Sequence, residues 1–399
     1  MKLLKIRASG IPLFQEHCEI DFLALQRVTE TNAKEMSCVF HTGLQKFYQN
    51  NVLSVIGINA SGKTTILKLI AFVCRMLNNE PLNSIDCADI LDGLPDGSHA
   101  TLDTYFFSCS QDSVPRPEEG AVNFLKTVIT KQGGKLVIAR ETLQSKALSK
   151  VKSKKGLFDF DGIESSLSRN IHENAEFLLD DVSIMVAFNK RNREQITFSE
   201  LLRYTNINHL RIKEDCPSQL IAFFDPSIEY LKVEPKTKGM DIRLKFKGQD
   251  ELLLKQMSEL DRYLSSGTIK GINVFLQAME TFRTGGYLIV DELENHFNRE
   301  IVATLIRFYM DKKVNPRGAM LIFSTHYPEL LDEFERNDNI YIARNRQGIT
   351  AQKLSSLLHR NDIKKSDAYK SDFLEGTVPM YEAFMELKRS IIQVSEESE

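Results

Sequence analysis

The chain has little that would tie it to a membrane, a metal cluster or a disulfide scaffold. Its six cysteines, Cys18, Cys38, Cys74, Cys87, Cys109 and Cys216, are scattered and include no C-x-x-C pair. That spacing argues against a zinc site and against a disulfide framework. No apolar run approaches the about 20 residues that a membrane span needs. The opening stretch Met1-Lys2-Leu3-Leu4-Lys5-Ile6-Arg7 interleaves charge with apolar side chains, so it reads as a strand and not as a secretory leader. The cytosol is the expected compartment. A net charge of −3 over 399 residues excludes a general polycation, so any contact with nucleic acid must come from a local patch. There is no sustained heptad, internal repeat or low-complexity tract. What is left, 42% hydrophobic and 26% charged residues, suits a globular protein with material for two or three domains.

Against that plain background one stretch stands out. Gly57-Ile58-Asn59-Ala60-Ser61-Gly62-Lys63-Thr64 fits G-x-x-x-x-G-K-[ST], the phosphate-binding loop. Before it, Val52, Leu53, Val55 and Ile56 form the short apolar run of a buried parallel strand. After it, Ile66, Leu67, Ile70, Val73 and Leu77 recur at helical spacing. Strand, glycine loop and helix are what the chemistry needs. Glycines let backbone N–H groups curl around a phosphate, and the helix N-terminus points its positive end at the same place. In such a loop Lys63 reaches the β- and γ-phosphates, and the Thr64 hydroxyl serves Mg²⁺.

Three later segments answer the loop. Tyr287–Val290 is an apolar strand followed by Asp291 and Glu292. A carboxylate at the tip of such a strand, expected beside the phosphate-loop strand, can hold Mg²⁺ through water. Asp291 suits that role, and Glu292 suits a general base for water. Ala319–Thr325 is another apolar strand, ending at His326, which is placed to touch a γ-phosphate or the water. Leu264-Ser265-Ser266-Gly267-Thr268 opens a helix and offers a hydroxyl and free N–H groups, a second phosphate site that makes sense facing the nucleotide of another subunit.

Elsewhere the pattern is ordinary. Leu3–Ala8, Cys18–Phe22, His99–Ser108 and Ile242–Phe246 read as strands, and Val122–Thr130 with Leu136–Thr142 as a hairpin about Gln132-Gly133-Gly134. Asn174–Phe188 and Phe198–Leu210 read as helices, and Ser395–Glu399 as an unstructured acidic tail. Lys126, Lys131, Lys135, Arg140, Lys146, Lys150, Lys152, Lys154 and Lys155 form the one basic concentration. It reads either as a solvated loop or as a patch for nucleic-acid phosphate or an acidic partner.

Gly57–Thr64, Leu264–Gly267, Asp291-Glu292 and His326, in that order, resemble the P-loop, signature, Walker B and switch histidine of ABC-type ATPases. The Asn59–Lys63 loop and Leu293-Glu294-Asn295-His296-Phe297-Asn298 resemble the SMC/RecF/OLD branch of those enzymes. Within it, Phe373-Leu374-Glu375-Gly376 before Val378-Pro379 is similar to AbiL-like ATPases of abortive-infection, anti-phage operons. The resemblance covers about residues 1–110 and 250–399. It implies an α/β P-loop ATPase head, a mixed or parallel sheet flanked by helices, with an antiparallel β subdomain and a helical insertion. It implies an N-terminal lobe at 1–110, an insertion at 111–250, a C-terminal lobe at 251–345 and an extension at 346–399.

By the same resemblance, ATP binds through Gly57, Asn59, Ala60, Ser61, Gly62, Lys63, Thr64 and Thr65. Mg²⁺ is held by Thr64 and Asp291, and Ser265, Ser266 and Gly267 cap the nucleotide from a second copy. Glu292 and His326 are the catalytic pair. The partners implied are the chain itself, as an ATP-held dimer or larger assembly, and an effector encoded nearby, such as a nuclease. A RecF-like ATPase that binds DNA through Lys126–Lys155 and a weakly hydrolysing scaffold are the alternatives. There are departures. Phe297 and Asn298 stand where the branch has leucine and a D-loop aspartate or histidine, and only Gln111 offers itself as a Q-loop glutamine. The interval from Thr64 to Ser265 leaves room for a lobe, not for long coiled-coil arms. The stretch after His326 is short for the TOPRIM nuclease domain of OLD proteins, and Asp362, Asp367 and Asp372 within it read as surface.

Overall fold

The structure, a computed structural model, describes residues 1–43, 45–109, 120–151, 153–170, 178–203, 216–236, 240–295, 297–360, 363–378 and 381–396. From the N-terminus, β1 (Lys2–Ser9) and β2 (His17–Asp21) pair, as do β3 (Met36–His41) and β4 (Lys46–Asn50), and β5 (Val52–Ile56) leads into α1 (Lys63–Leu77). Four longer strands follow, β6 (His99–Ser108), β7 (Ala121–Gln132), β8 (Lys135–Ala147) and β9 (Ser165–Asn170). Next come α2 (Met185–Asn192), β10 (Phe198–Leu201), α3 (Ser218–Phe224) and a three-stranded unit of β11 (Ile228–Pro235), β12 (Met240–Phe246) and β13 (Leu252–Leu254). The remainder is α4 (Ser266–Thr284), β14 (Tyr287–Val290), α5 (Arg299–Met310), β15 (Met320–Thr325), β16 (Ile340–Asn345), β17 (Ile349–Lys353), α6 (Leu354–Leu357), α7 (Lys365–Lys370) and α8 (Tyr381–Glu396).

Two six-stranded sheets organise these elements. One is antiparallel, in the order β2-β1-β6-β7-β8-β9. The other runs β10-β14-β15-β5-β16-β17, parallel throughout except for β17 at its edge. This is the α/β architecture the sequence implies. The parallel sheet is buried on both faces, which is why its strands are apolar without alternation. Leu53, Val55, Ile289 and Ile322 pack with α1 residues such as Ile66 and Ile70 in one core. The alternate residues Val52, Ile56, Leu288, Val290, Leu321 and Phe323 pack with Val302, Leu305 and Ile306 of α5 and Val274 and Ala278 of α4 in another. Each fully buried aliphatic side chain contributes about 2 kcal/mol by leaving water. The loops at the carboxyl ends of these strands therefore stand on a rigid base.

Segment 111–250 is distributed among three places. Its strands β7–β9 extend the antiparallel sheet, β10 closes the edge of the parallel sheet, and β11–β12 build the small third sheet with β13. Two helices read from the sequence are corrected. Phe198–Leu201 is a strand, because it pairs in parallel with β14 and Thr197 O accepts from Tyr287 N at 2.9 Å. The described part of 174–188 becomes helical only from Met185. Before that the chain is pinned elsewhere: Asp180 O accepts from Ile138 N and Asp181 O from Leu82 N, both at 2.8 Å. The wholly buried Glu141 also binds this stretch, accepting from Ser183 Oγ at 2.8 Å and Ile184 N at 2.7 Å. Burial pushes the Glu141 carboxyl up, against the pull of those donors. Residues 174–177 and 204–210 of the two expected helices lie outside the described residues, as do Gln111, Asp362 and 397–399. The acidic tail is helical through Glu396. No described helix is long and apolar enough to cross a membrane.

Candidate functional site

The loop after β5 is shaped by its glycines. A Cβ on Gly57 would stand 2.3 Å from Ser61 Oγ and 2.6 Å from Ala343 O, so no larger residue fits there. Ala60 at φ +59° and Gly62 at φ +92° turn the backbone left-handed just before α1 begins. Asn59 and Ala60 are exposed at the crest, while Thr64 and Thr65 are half-buried at the helix start. The Ser61 hydroxyl is buried against Gly57 without a hydrogen-bond partner. Asn345, at the end of β16, donates to Ala60 O at 3.2 Å and braces the loop from the side.

Lys63 lies across the loop mouth, donating to Gly57 O at 3.0 Å and Ile58 O at 3.1 Å, with Nζ 3.3 Å from His326 Nδ1. Burial pushes its ammonium down, and the carboxylates of Asp291, Glu292 and Glu294 pull it back up. An ammonium resting on carbonyl oxygens at a phosphate-shaped loop can exchange them for phosphate oxygens.

Asp291 sits at the end of β14 between two hydroxyls. Its Oδ2 accepts from Thr64 Oγ1 at 2.7 Å and its Oδ1 from Ser324 Oγ at 2.5 Å. β14 was expected beside β5, but β15 lies between them. The correction does not part the two side chains, because α1 starts above the sheet edge and brings Thr64 over β15. Thr64 and Asp291 are hard oxygen donors, of the kind that holds Mg²⁺ directly or through water. Glu292 has φ +46°, a left-handed conformation that costs a non-glycine residue about 1 kcal/mol or more. Ser324 Oγ accepts from Glu292 N at 2.7 Å and helps hold it there. Glu292 Oε1 is 3.5 Å from His326 Nε2, and Oε2 accepts from Asn295 Nδ2 at 2.6 Å. Glu294, one step back, accepts from the His326 backbone N–H. Lys63 at the start of α1, and His326 and Glu292 just past the carboxyl ends of β15 and β14, thus form a line across the mouth.

Ser324 and Asn345 carry no signal in the sequence, because they act through partners 32 and 285 positions away. Asn295 enters it only within the Leu293–Asn298 resemblance, although its partner is three positions away. Asn298 is the N-cap of α5, its Oδ1 accepting from Glu300 N at 2.9 Å. His296 lies outside the described residues.

Ser265 caps α4, its Oγ accepting from Thr268 N at 3.0 Å. It is exposed, with Ser266 and Gly267 half-buried. Only Gly285 and Gly286 join the end of α4 to β14, so the helix runs back along the strand. At about 1.5 Å per residue α4 outreaches the four-residue β14 at about 3.3 Å per residue. Its first turns pack on the small third sheet, where Ile269 and Ile272 share a core with Leu231, Ile242 and Leu254.

Three lysines of the basic stretch are committed to backbone carbonyls. Lys146 is buried, its ammonium over the Phe160 ring and donating to Gly156 O at 2.8 Å. Lys131 donates to Asp92 O at 2.9 Å and Lys154 to Ala24 O at 3.1 Å. Lys126 and Arg140 are exposed on neighbouring strands, and Lys152 lies outside the described residues.

Comparison with known proteins adds a family. Residues 52–332 match AAA_21, described as "AAA domain, putative AbiEii toxin, Type IV TA system". No curated protein matches the chain. Among solved structures, an SMC head domain from Thermotoga maritima is similar at 11% identity, over 88% of this chain and 99% of that one, with a TM-score of 0.41. An SmcHead bound to the C-winged helix domain of ScpA is similar at 14% identity, over 89% and 99% of the two chains, with a TM-score of 0.44.

Proposed function

The chain belongs to the AAA_21 family of AAA domains, and from that premise we propose that it is an ATPase whose nucleotide joins two copies head to head. The observation that carries this reading is the line Lys63, His326, Glu292 beside the Thr64–Asp291 bond, all at one loop mouth. ATP binds across Gly57–Thr65, its phosphates taking the place of the Gly57 and Ile58 carbonyls on Lys63. Mg²⁺, held by Thr64 and Asp291, supplies charge neutralisation on the phosphates. Glu292 takes a proton from the attacking water as its oxygen bonds to the γ-phosphorus, and ADP leaves with the electron pair of the broken P–O bond. His326, between Lys63 and Glu292, faces the γ-phosphate. Ser265, Ser266 and Gly267 of the second copy complete the pocket, for which the exposure of Ser265 at the start of α4 is the support.

The output is mechanical: closing and opening the pair controls a partner effector. The family description names a toxin of a toxin–antitoxin system, which supports a place in anti-phage defence. A RecF-like DNA-binding role draws less support, since three of the lysines it would use are committed to backbone carbonyls.

The test is phosphate release from ATP, with and without Mg²⁺, alongside DNA retention with and without ATP. The expected result is turnover that stops on chelation, with DNA retention unaffected by ATP. Zero turnover with tight ATP binding would replace the enzyme with a scaffold. ATP-dependent DNA retention lost on Lys126→Glu would favour the repair reading.

A further inference from the structure

We propose that Glu294 and Asn295, two and three positions after the catalytic carboxylate, are positioning residues that set the Glu292–His326 pair, a role that rests on the ATPase reading. The turn at Asp291–Asn295 is held in an unfavoured shape. Glu292 is left-handed, so its side chain leaves the strand end in a direction that an ordinary strand residue would not take. A carboxylate so placed is free to rotate unless something fixes it. Asn295 does so: its Nδ2 donates to Glu292 Oε2 at 2.6 Å, which leaves Oε1 facing His326 Nε2 at 3.5 Å. The turn supports this from the backbone, with Asn295 N donating to Glu292 O at 2.9 Å. The spacing is the reason an amide can do this, since residues three apart in a tight turn face each other.

Glu294 acts on the other member of the pair. It is 5% exposed, and one carboxylate oxygen accepts from the His326 backbone N–H. The Thr325 hydroxyl also hydrogen-bonds this carboxyl and pulls against the effect of burial. A buried carboxylate is costly to keep, and burial pushes this one up. What it gains is a fixed start for the His326 loop directly after β15, while Leu293 N donates to Ser324 O at 3.1 Å and ties the same two loops again. Removing Asn295 frees the base, and removing Glu294 frees the histidine. Neither residue touches the atoms that react.

The test has a kinetic and a turnover-independent arm. Asn295→Ala is expected to lower kcat at least tenfold while KM for ATP stays within threefold. Asn295→Asp, which sets a like charge against Glu292, is expected to fall at least as far. In a Glu292→Gln background, single-turnover rates should change less than twofold on adding Asn295→Ala, because the group being held is gone. A kcat within twofold of the parent, a rise in KM at constant kcat, or an undiminished loss in that background would each overturn the Asn295 role. For Glu294, amide exchange at His326 is expected to quicken at least tenfold in Glu294→Ala and to stay parental in Glu294→Gln, which keeps an acceptor oxygen, with β14 amides unchanged in both. Unchanged exchange at His326 in Glu294→Ala would overturn the clamp. If Glu294→Ala does not fold, the Glu294→Gln variant decides by its exchange: quickened exchange at His326 overturns the clamp, and parental exchange supports it. A parent that turns over no ATP would defeat the ATPase reading and the Asn295 role with it, yet leave the exchange result decisive.

Discussion

Lys63→Ala is expected to weaken ATP binding at least a hundredfold while leaving the fold intact. The ammonium lies at the loop mouth with its donors on exchangeable carbonyls, Gly57 O at 3.0 Å and Ile58 O at 3.1 Å. Charge-assisted hydrogen bonds to phosphate contribute about 1.5–3 kcal/mol each, and about 1.4 kcal/mol is a factor of ten. Two such bonds therefore account for two decades or more. The cost to the fold is small, because burial already works against the charged form and the two carbonyls left behind lie at the loop mouth. Titration calorimetry beside a thermal melt checks this. Parental affinity in the variant would mean that the loop does not bind phosphate through Lys63.

The second large effect is on chemistry. Glu292→Gln is expected to lower kcat by about 10²–10³-fold with ATP affinity held within a few-fold, which is the scale of losing a positioned general base. The substitution is nearly isosteric. Its carbonyl oxygen can still accept from Asn295 Nδ2, and Ser324 Oγ still receives the backbone N–H. What is lost is the oxygen that accepts a proton beside His326. Phosphate release and nucleotide binding measured on the same sample separate the two effects. A kcat within fivefold of the parent would move the base elsewhere.

The parts legible in the sequence were those in which chemistry and local geometry coincide. Gly57, Gly62 and Lys63 are fixed by what one loop must do, and the flanking strand and helix follow from burial on two faces. Ser265 read as a phosphate site opening a helix; the helix start is where the sequence puts it, and there the hydroxyl caps α4, accepting from Thr268 N at 3.0 Å. What could not be read depends on distant chain. Phe198–Leu201 is apolar enough for helix or strand, and its pairing with β14 decides. The insertion of β15 between β14 and β5 is a matter of sheet order, which no local pattern encodes. Lys146 looks like a surface charge by type, yet a loop folds over it and offers carbonyls. Asn295 and Glu294 were visible as part of a resemblance, but not as holders of Glu292 and His326. Only the left-handed turn at Glu292 brings those atoms together.

The claim beneath all of this is that one pocket is built from two copies, with Lys63 on one side of the nucleotide and Ser265 on the other. Equilibrium sedimentation of Glu292→Gln with ATP and Mg²⁺ tests it most directly. The account predicts a species of twice the single-chain mass that needs ATP, and a return to the single-chain mass when Ser265→Arg is added, with ATP still bound. A mass that ignores ATP, or a doubling that survives Ser265→Arg, would contradict it.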